Sequence, residues 1–202
     1  MNPSSTSFVL GYHGCSRDVA EKIISGRQSL LPSQNNYDWL GDGIYFWEFN
    51  AQRAYEFALE LRARSGRHKK SYQPAVIGAI IDLGFCLNLL DSRYIELVRQ
   101  AHDDLAHQSN QADTELPSNS LGPDRLLRRL DCAVIRHLHW LQGHEGKQPF
   151  DTVRAAFFEG ERLYENAGFA AKNHIQICVR NPLCIKGYFR PLGDDGRPLR
   201  FK

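Results

Sequence analysis

Apolar and polar positions along this chain fall into short runs whose period switches between two and three-to-four. Phe8-Val9-Leu10-Gly11-Tyr12-His13 reads as a short strand. Ser16 is placed to cap a helix that runs to Ile24, with Gly26 close to its end. Leu31 to Asp38 is rich in Pro, Ser and Asn, which predicts a loop. Gly43 to Trp47 reads as a second strand, and Asn50 caps a helix from Ala51 to about Arg64. Within it Ala54, Phe57, Ala58 and Leu61 share one face. Ala75 to Asp82 is a near-continuous apolar run, the pattern of a central strand. Residues from about 88 to 142 read as helical, with one polar break between Gln108 and Pro123. Asp151 to Phe158 predicts an amphipathic strand or a strand–helix junction, and Glu159 to Lys172 a glycine-bearing loop. His174 to Val179 alternates as a strand should, and Cys184 to Phe189 reads as another. Strands at both ends with helices between them predict an α+β fold rather than a parallel βαβ sheet.

Composition narrows the class. The chain has 202 residues, enough for one sizeable core, and is read as a single domain over 1–202. With 42% hydrophobic and 24% charged residues it resembles ordinary soluble globular proteins. A formal net charge of +2 neither demands nor excludes nucleic acid. Five scattered cysteines (Cys15, Cys86, Cys132, Cys178, Cys184) lack CxxC spacing, which argues for reduced thiols and against a disulfide framework or a zinc knuckle. Met1 to Ser5 opens no basic, then apolar, secretory pattern, and no apolar run is long enough to cross a bilayer. The expectation is a cytoplasmic protein with no membrane partner.

The chemistry-bearing words are Tyr12-His13-Gly14 and Gly41-Asp42-Gly43-Ile44-Tyr45-Phe46. Each sets a polar aromatic residue against glycine inside a segment that otherwise reads as a buried strand. Glycine there lets a flat ligand approach the backbone, while His and Tyr present a ring face and a hydrogen-bonding tip together. Two such words, a helix and a loop apart, suggest the two walls of one narrow slot.

In this order the words resemble the first two signatures of ADP-ribosyltransferases of the diphtheria-toxin and poly(ADP-ribose) polymerase type. Those enzymes carry a His-Gly strand, a helix, a loop, then a Gly-x-Gly-Ile-Tyr-Phe strand and a second helix. The resemblance covers Tyr12 to Ala58, with a weaker patch at His174 to Val179. It implies a split β-sandwich core with a helical insertion at about 88–142, and NAD as substrate. It further implies that His13 bonds the adenosine ribose, the Gly14 backbone pairs with the nicotinamide carboxamide, and Tyr45 stacks on the nicotinamide ring. Tyr55 or Phe57 would supply a second face, and Tyr12, Cys15 and Gly43 would line the same site. The family commonly has Ser or Thr after His-Gly; Cys15 is a weaker hydrogen-bond partner.

Cleavage of the nicotinamide–ribose bond passes through an oxocarbenium-like state, as glycoside hydrolysis does. Catalysis needs the pyridinium held flat and desolvated, with a negative charge beside the developing cation. The family supplies that charge with a glutamate opening a late strand. Gln176 occupies the corresponding place here and carries no charge. The loop before it offers Glu159, Glu161 and Glu165, of which Glu161 is the preferred carboxylate on this reading.

Three functions follow from the resemblance and its departure: transfer of ADP-ribose to a macromolecule, NAD glycohydrolysis with water as acceptor, and NAD or ADP-ribose binding without catalysis. A transferase of this size fits a toxin or phage-defence component, with an antitoxin protein as its partner. The basic run Arg62, Arg64, Arg67, His68, Lys69 and Lys70 reads as a solvated helix end or as a phosphate-contacting patch for RNA or DNA. Arg190, Arg197, Arg200 and Lys202 share that ambiguity. His137, His139 and His144 invite a metal reading, but His137 and His139 lie on different faces of a helix, which argues against it.

Overall fold

The computed structural model describes residues 8–64, 72–193 and 195–201. In chain order the elements are β1 (Phe8–Ser16), α1 (Arg17–Ile24), β2 (Ile44–Glu48), α2 (Ala51–Arg64), β3 (Pro74–Asp82), β4 (Cys86–Asn88) and α3 (Ser92–Gln111). There follow β5 (Asn119–Ser120), β6 (Leu127–Arg128), α4 (Arg129–His144), β7 (Thr152–Phe157), β8 (His174–Val179) and β9 (Ile185–Phe189). The fold is mixed α+β. No helix among the described residues is long and apolar enough to cross a membrane.

Local chemistry sets most element ends. Ser16 Oγ accepts from the Val19 amide, and Asn50 Oδ1 from the Arg53 amide, so both expected caps are formed. Helix α4 has Arg128 as its N-cap residue, which makes no side-chain cap bond. Asn119, in the β5–β6 hairpin, reaches over to accept from the Leu130 amide at 2.9 Å. The expected helical stretch thus resolves into α3, a small hairpin at the polar break, and α4. β4 was not expected: three residues are too few to show a period, and its parallel pairing with β7 is non-local.

Seven strands form one sheet in the order β4-β7-β8-β2-β1-β3-β9, antiparallel except for β4 beside β7. β1 tracks β3 over its whole length, from Phe8↔Asp82 to Ser16↔Pro74. β2 tracks β8 from Ile44↔Val179 to Trp47↔Gln176. Between β1 and β2, however, only Gly11↔Glu48 and Tyr12↔Trp47 are in register. The ladder opens at His13, and the sheet becomes two half-sheets, β1-β3-β9 and β4-β7-β8-β2, joined by a short seam.

Alternation of side chains puts a core on each face. On one face α1 packs Ile23 with Phe46, Ile77, Ile81 and Ile177. The opposite face is shared. α3 and α4 cover β4, β7 and β8 with Leu87, Val134, Ile135 and Val153, while α2 covers the seam with Trp47, Ala54 and Val76.

Candidate functional site

The seam is where the His-Gly word falls. The carbonyl of Tyr45 accepts a 2.8 Å hydrogen bond from His13 Nδ1–H, bridging the strands just where their ladder stops. That bond leaves the lone pair of the neutral ring on Nε2. Burial holds the His13 pKa below the usual imidazole range, only partly offset by the Tyr45 carbonyl. A Cβ on Gly14 would overlap the backbone carbonyl of Ala54, so this glycine admits α2 onto the strand. Cys15 is buried, and its thiol is pushed up to about 12, so it stays protonated.

Tyr45 lies at the other side of the seam. Its hydroxyl donates to the Gly41 carbonyl at 2.8 Å and accepts from the Leu40 amide at 3.0 Å, which ties the preceding loop to β2. Burial raises its pKa, so the phenol does not ionise. A Cβ on Gly43 would stand 2.5 Å from Cys178 Sγ and 2.7 Å from the Val179 carbonyl, so β8 passes close beneath it. Tyr45 packs on the α3–α4 side, whereas His13 contacts Phe46 on the α1 side. The two expected residues therefore meet through the Tyr45 backbone, with their rings on opposite faces.

The remaining expected wall residues lie on α2 and β1. Tyr55 stacks on Phe201 at 4.4 Å, Phe57 packs on Trp47 at 5.0 Å, and Tyr12 meets Phe189 edge-on at 6.1 Å. None of these rings faces Tyr45 in a sandwich among the described aromatic contacts.

Gln176 sits beside Trp47 in the β2–β8 ladder, and its Oε1 accepts from Trp39 Nε1 at 2.6 Å. Glu161 is exposed. The buried carboxylate of this loop is Glu159, 7% exposed, held by Arg53 of α2 at 3.0 and 3.1 Å with Lys172 at 3.7 Å. The polar atoms buried around this pair with no hydrogen-bond partner among the described residues include Trp47 Nε1, Arg53 Nε and Nη1, and His174 Nε2. They belong together, since Arg53 lies over the Trp47 ring at 5.7 Å and the Trp47 and His174 rings are 6.2 Å apart. His174 Nδ1–H donates to the Lys172 carbonyl at 2.6 Å, so Nε2 is the free acceptor. Burial is the largest cause of its lowered pKa. His174 and Gln176 share a face of β8. Trp39, Trp47, Arg53 and His174 are the site residues that sequence reasoning missed. The one available signal was Arg53, which borders the apolar stripe of α2 four residues before Phe57.

The other expectations lie elsewhere. His137 Nε2 contacts Asp104 at 2.6 Å, His139 packs edge-on to Phe150, and His144 lies on Trp140. Among the described residues no group of three or more His, Cys, Asp or Glu side chains is arranged to hold a metal ion. Arg67, His68, Lys69 and Lys70 lie outside the described residues, as does Lys202. Arg190 is paired with Glu21 at 2.5 and 2.6 Å.

An α+β sheet that opens at its seam beside a buried ion pair and unpartnered polar atoms thus defines the class of this protein. No family model matches the chain, and no solved structure does. It is 30% identical over 192 residues to the uncharacterized protein MJ0359 of Methanocaldococcus jannaschii, covering 87% of this chain and 83% of that one. The chain belongs to the family of that archaeal protein.

Proposed function

We propose that this protein is an NAD-dependent ADP-ribosyltransferase that modifies a protein or nucleic acid and releases nicotinamide. The observation that carries the reading is the opening of the β1–β2 ladder at His13. It divides the sheet into two halves where the resemblance calls for a split core, with the Gly-Ile-Tyr-Phe strand between the His-Gly strand and the one bearing Gln176. The unpartnered Trp47 Nε1, Arg53 Nε and His174 Nε2 also fit a polar substrate, because buried polar atoms are ordinarily satisfied by protein, water or ligand.

In the reaction the bond from nicotinamide nitrogen to the ribose anomeric carbon breaks, and its electron pair leaves with nicotinamide. The acceptor's nucleophilic atom bonds to that carbon and sheds its proton. His13 and the Gly14 backbone hold the substrate at the seam. Gln176, fixed by Trp39, orients a ribose hydroxyl. Glu159 replaces Glu161 as the carboxylate of choice, since it is buried near the strand of Gln176; Arg53 neutralises it in the present arrangement. That neutralisation, with the tethered Tyr45 hydroxyl, favours a second reading, a module that binds NAD or ADP-ribose without catalysis.

Incubation with adenylate-labelled NAD and a cell lysate, followed by protease or nuclease, tests the proposal. Label on a macromolecule that is lost in the His13→Ala variant is the expected result. NAD consumed with no labelled macromolecule gives a glycohydrolase instead. Intact NAD with undiminished binding gives the binding module.

A further inference from the structure

A cavity of about 610 Å³ opens where α3, α4 and the loop before β2 meet Arg180, the residue that follows β8. Most of the charge lining it cancels. Arg136 is paired with Asp42, and His137 Nε2 contacts Asp104. The pKa of His139 is pushed down to about 3, mainly by burial, so its ring is neutral near neutral pH. Arg180 is left over. Its Nη1 donates to the Phe150 carbonyl at 3.0 Å, while Nε and Nη2 have no hydrogen-bond or ion-pair partner among the described residues. Neither of those two atoms is shut off from solvent.

Nε–H and Nη2–H form the guanidinium edge that takes a carboxylate or phosphate through two parallel bonds. Elsewhere in this molecule the same edge is occupied. Arg154 gives Nε and Nη2 to the two oxygens of Glu48, and Arg136 gives both to Asp42. The carboxylates whose fields reach Arg180 are Asp42 and Asp151. Asp42 is spent on Arg136, and Asp151 accepts from the Asn181 side chain at 2.7 Å and the Phe85 amide at 3.0 Å. Burial is the largest cause holding the Arg180 pKa below its usual range, whereas the bonds to Glu48 and Asp42 raise those of Arg154 and Arg136. A guanidinium drawn into the fold is ordinarily paired, and this one presents an open fork instead.

We infer that this cavity binds a small organic anion, a carboxylate or a phosphate ester, whose oxyanion takes the free Nε/Nη2 edge of Arg180. The body of such a ligand lies against Leu105, Ala133 and Trp140, which line the same space. Arg180 and His174 stand at opposite ends of β8, so this site is separate from the seam and holds whether or not NAD binds there.

The probes are benzoate, phenyl phosphate and, as the uncharged control, benzyl alcohol, each titrated by calorimetry into the full chain at low ionic strength. Saturable one-to-one binding of an anion, and none of benzyl alcohol, is expected. Whichever of benzoate and phenyl phosphate binds more tightly gives the source of the oxyanion. Arg180→Met removes the fork and weakens binding by about tenfold or more, equivalent to about 1.4 kcal/mol. Arg180→Lys keeps the charge without the fork and weakens it several-fold. Arg17→Met, at the exposed start of the helix on the opposite face of the sheet, leaves it unchanged. No binding of either anion, equal affinity for benzyl alcohol, or unchanged affinity in Arg180→Met overturns the inference, as does loss in Arg17→Met. Should Arg180→Met fail to fold, Arg180→Lys decides, and unchanged affinity there is the contrary result.

Discussion

The two half-sheets are packed to different tolerances. In β1-β3-β9 the covering groups sit directly on glycine: α2 on Gly14 through the Ala54 carbonyl, and the Phe189 ring on Gly78. In β4-β7-β8-β2 the helices α3 and α4 pack on Leu87, Val153 and Cys178, and two cavities remain along them. The half that carries the His-Gly word is therefore closed on the α2 face. Trp47, His174 and Gln176 belong to the other half, on β2 and β8. The motif glycine Gly14 serves helix packing, since it admits the Ala54 carbonyl of α2 onto the strand.

The sharpest break is at the ion pair between α2 and the loop before β8. Glu159→Ala leaves Arg53 buried without its main partner, and urea unfolding should register a loss of about 3–5 kcal/mol. Arg53→Met together with Glu159→Leu should recover most of it, since a packed apolar pair is often as stable. Next is Gly14→Ala, which pushes a methyl against helix backbone and should cost about 3 kcal/mol. Gly168→Ala, with open space around it, should cost almost nothing in the same assay. Tyr45→Phe frees the Gly41 carbonyl and Leu40 amide and should cost about 2 kcal/mol, with faster hydrogen exchange confined to the loop before β2.

The smallest effect is in pH dependence. His13, His139 and His174 all have folded pKa values below the usual 6.5, that of His139 near 3, mainly through burial. The unfolded chain therefore binds more protons, and the stability these groups contribute is complete above about 6.5 and lost as pH falls toward their folded values. Each adds a slope of at most about 1.4 kcal/mol per pH unit. His139→Phe should flatten the stability profile between pH 6.5 and 5 by about one proton, measured as the change in urea midpoint.

Elements with a period of their own were readable from sequence. β1, β2, β3, β8 and β9 follow from apolar runs or alternation, and α1 and α2 from Ser16 and Asn50. β4 was not, because Cys86–Asn88 is a strand only through its pairing with Thr152–Arg154. The seam was half legible: His13 and Tyr45 were singled out, yet alternation sends their side chains to opposite faces once both strands are in register. Arg53 and Glu159 are 106 residues apart and individually resemble surface charges. Only the fold brings them into a buried pair, so the preference for Glu161 over Glu159 could not be settled by spacing. Trp39 falls between the predicted loop Leu31–Asp38 and the next strand, where no local pattern marks it, and its bond to Gln176 spans 137 residues.

The central claim is that NAD occupies the opened seam beside His13. Titration calorimetry of NAD into the parent protein and the His13→Ala variant tests it most directly, with the variant's fold checked by circular dichroism. Saturable binding by the parent, lost or greatly weakened in a folded His13→Ala, is what the account predicts. No heat of binding in the parent, or equal affinity in both proteins, would contradict it.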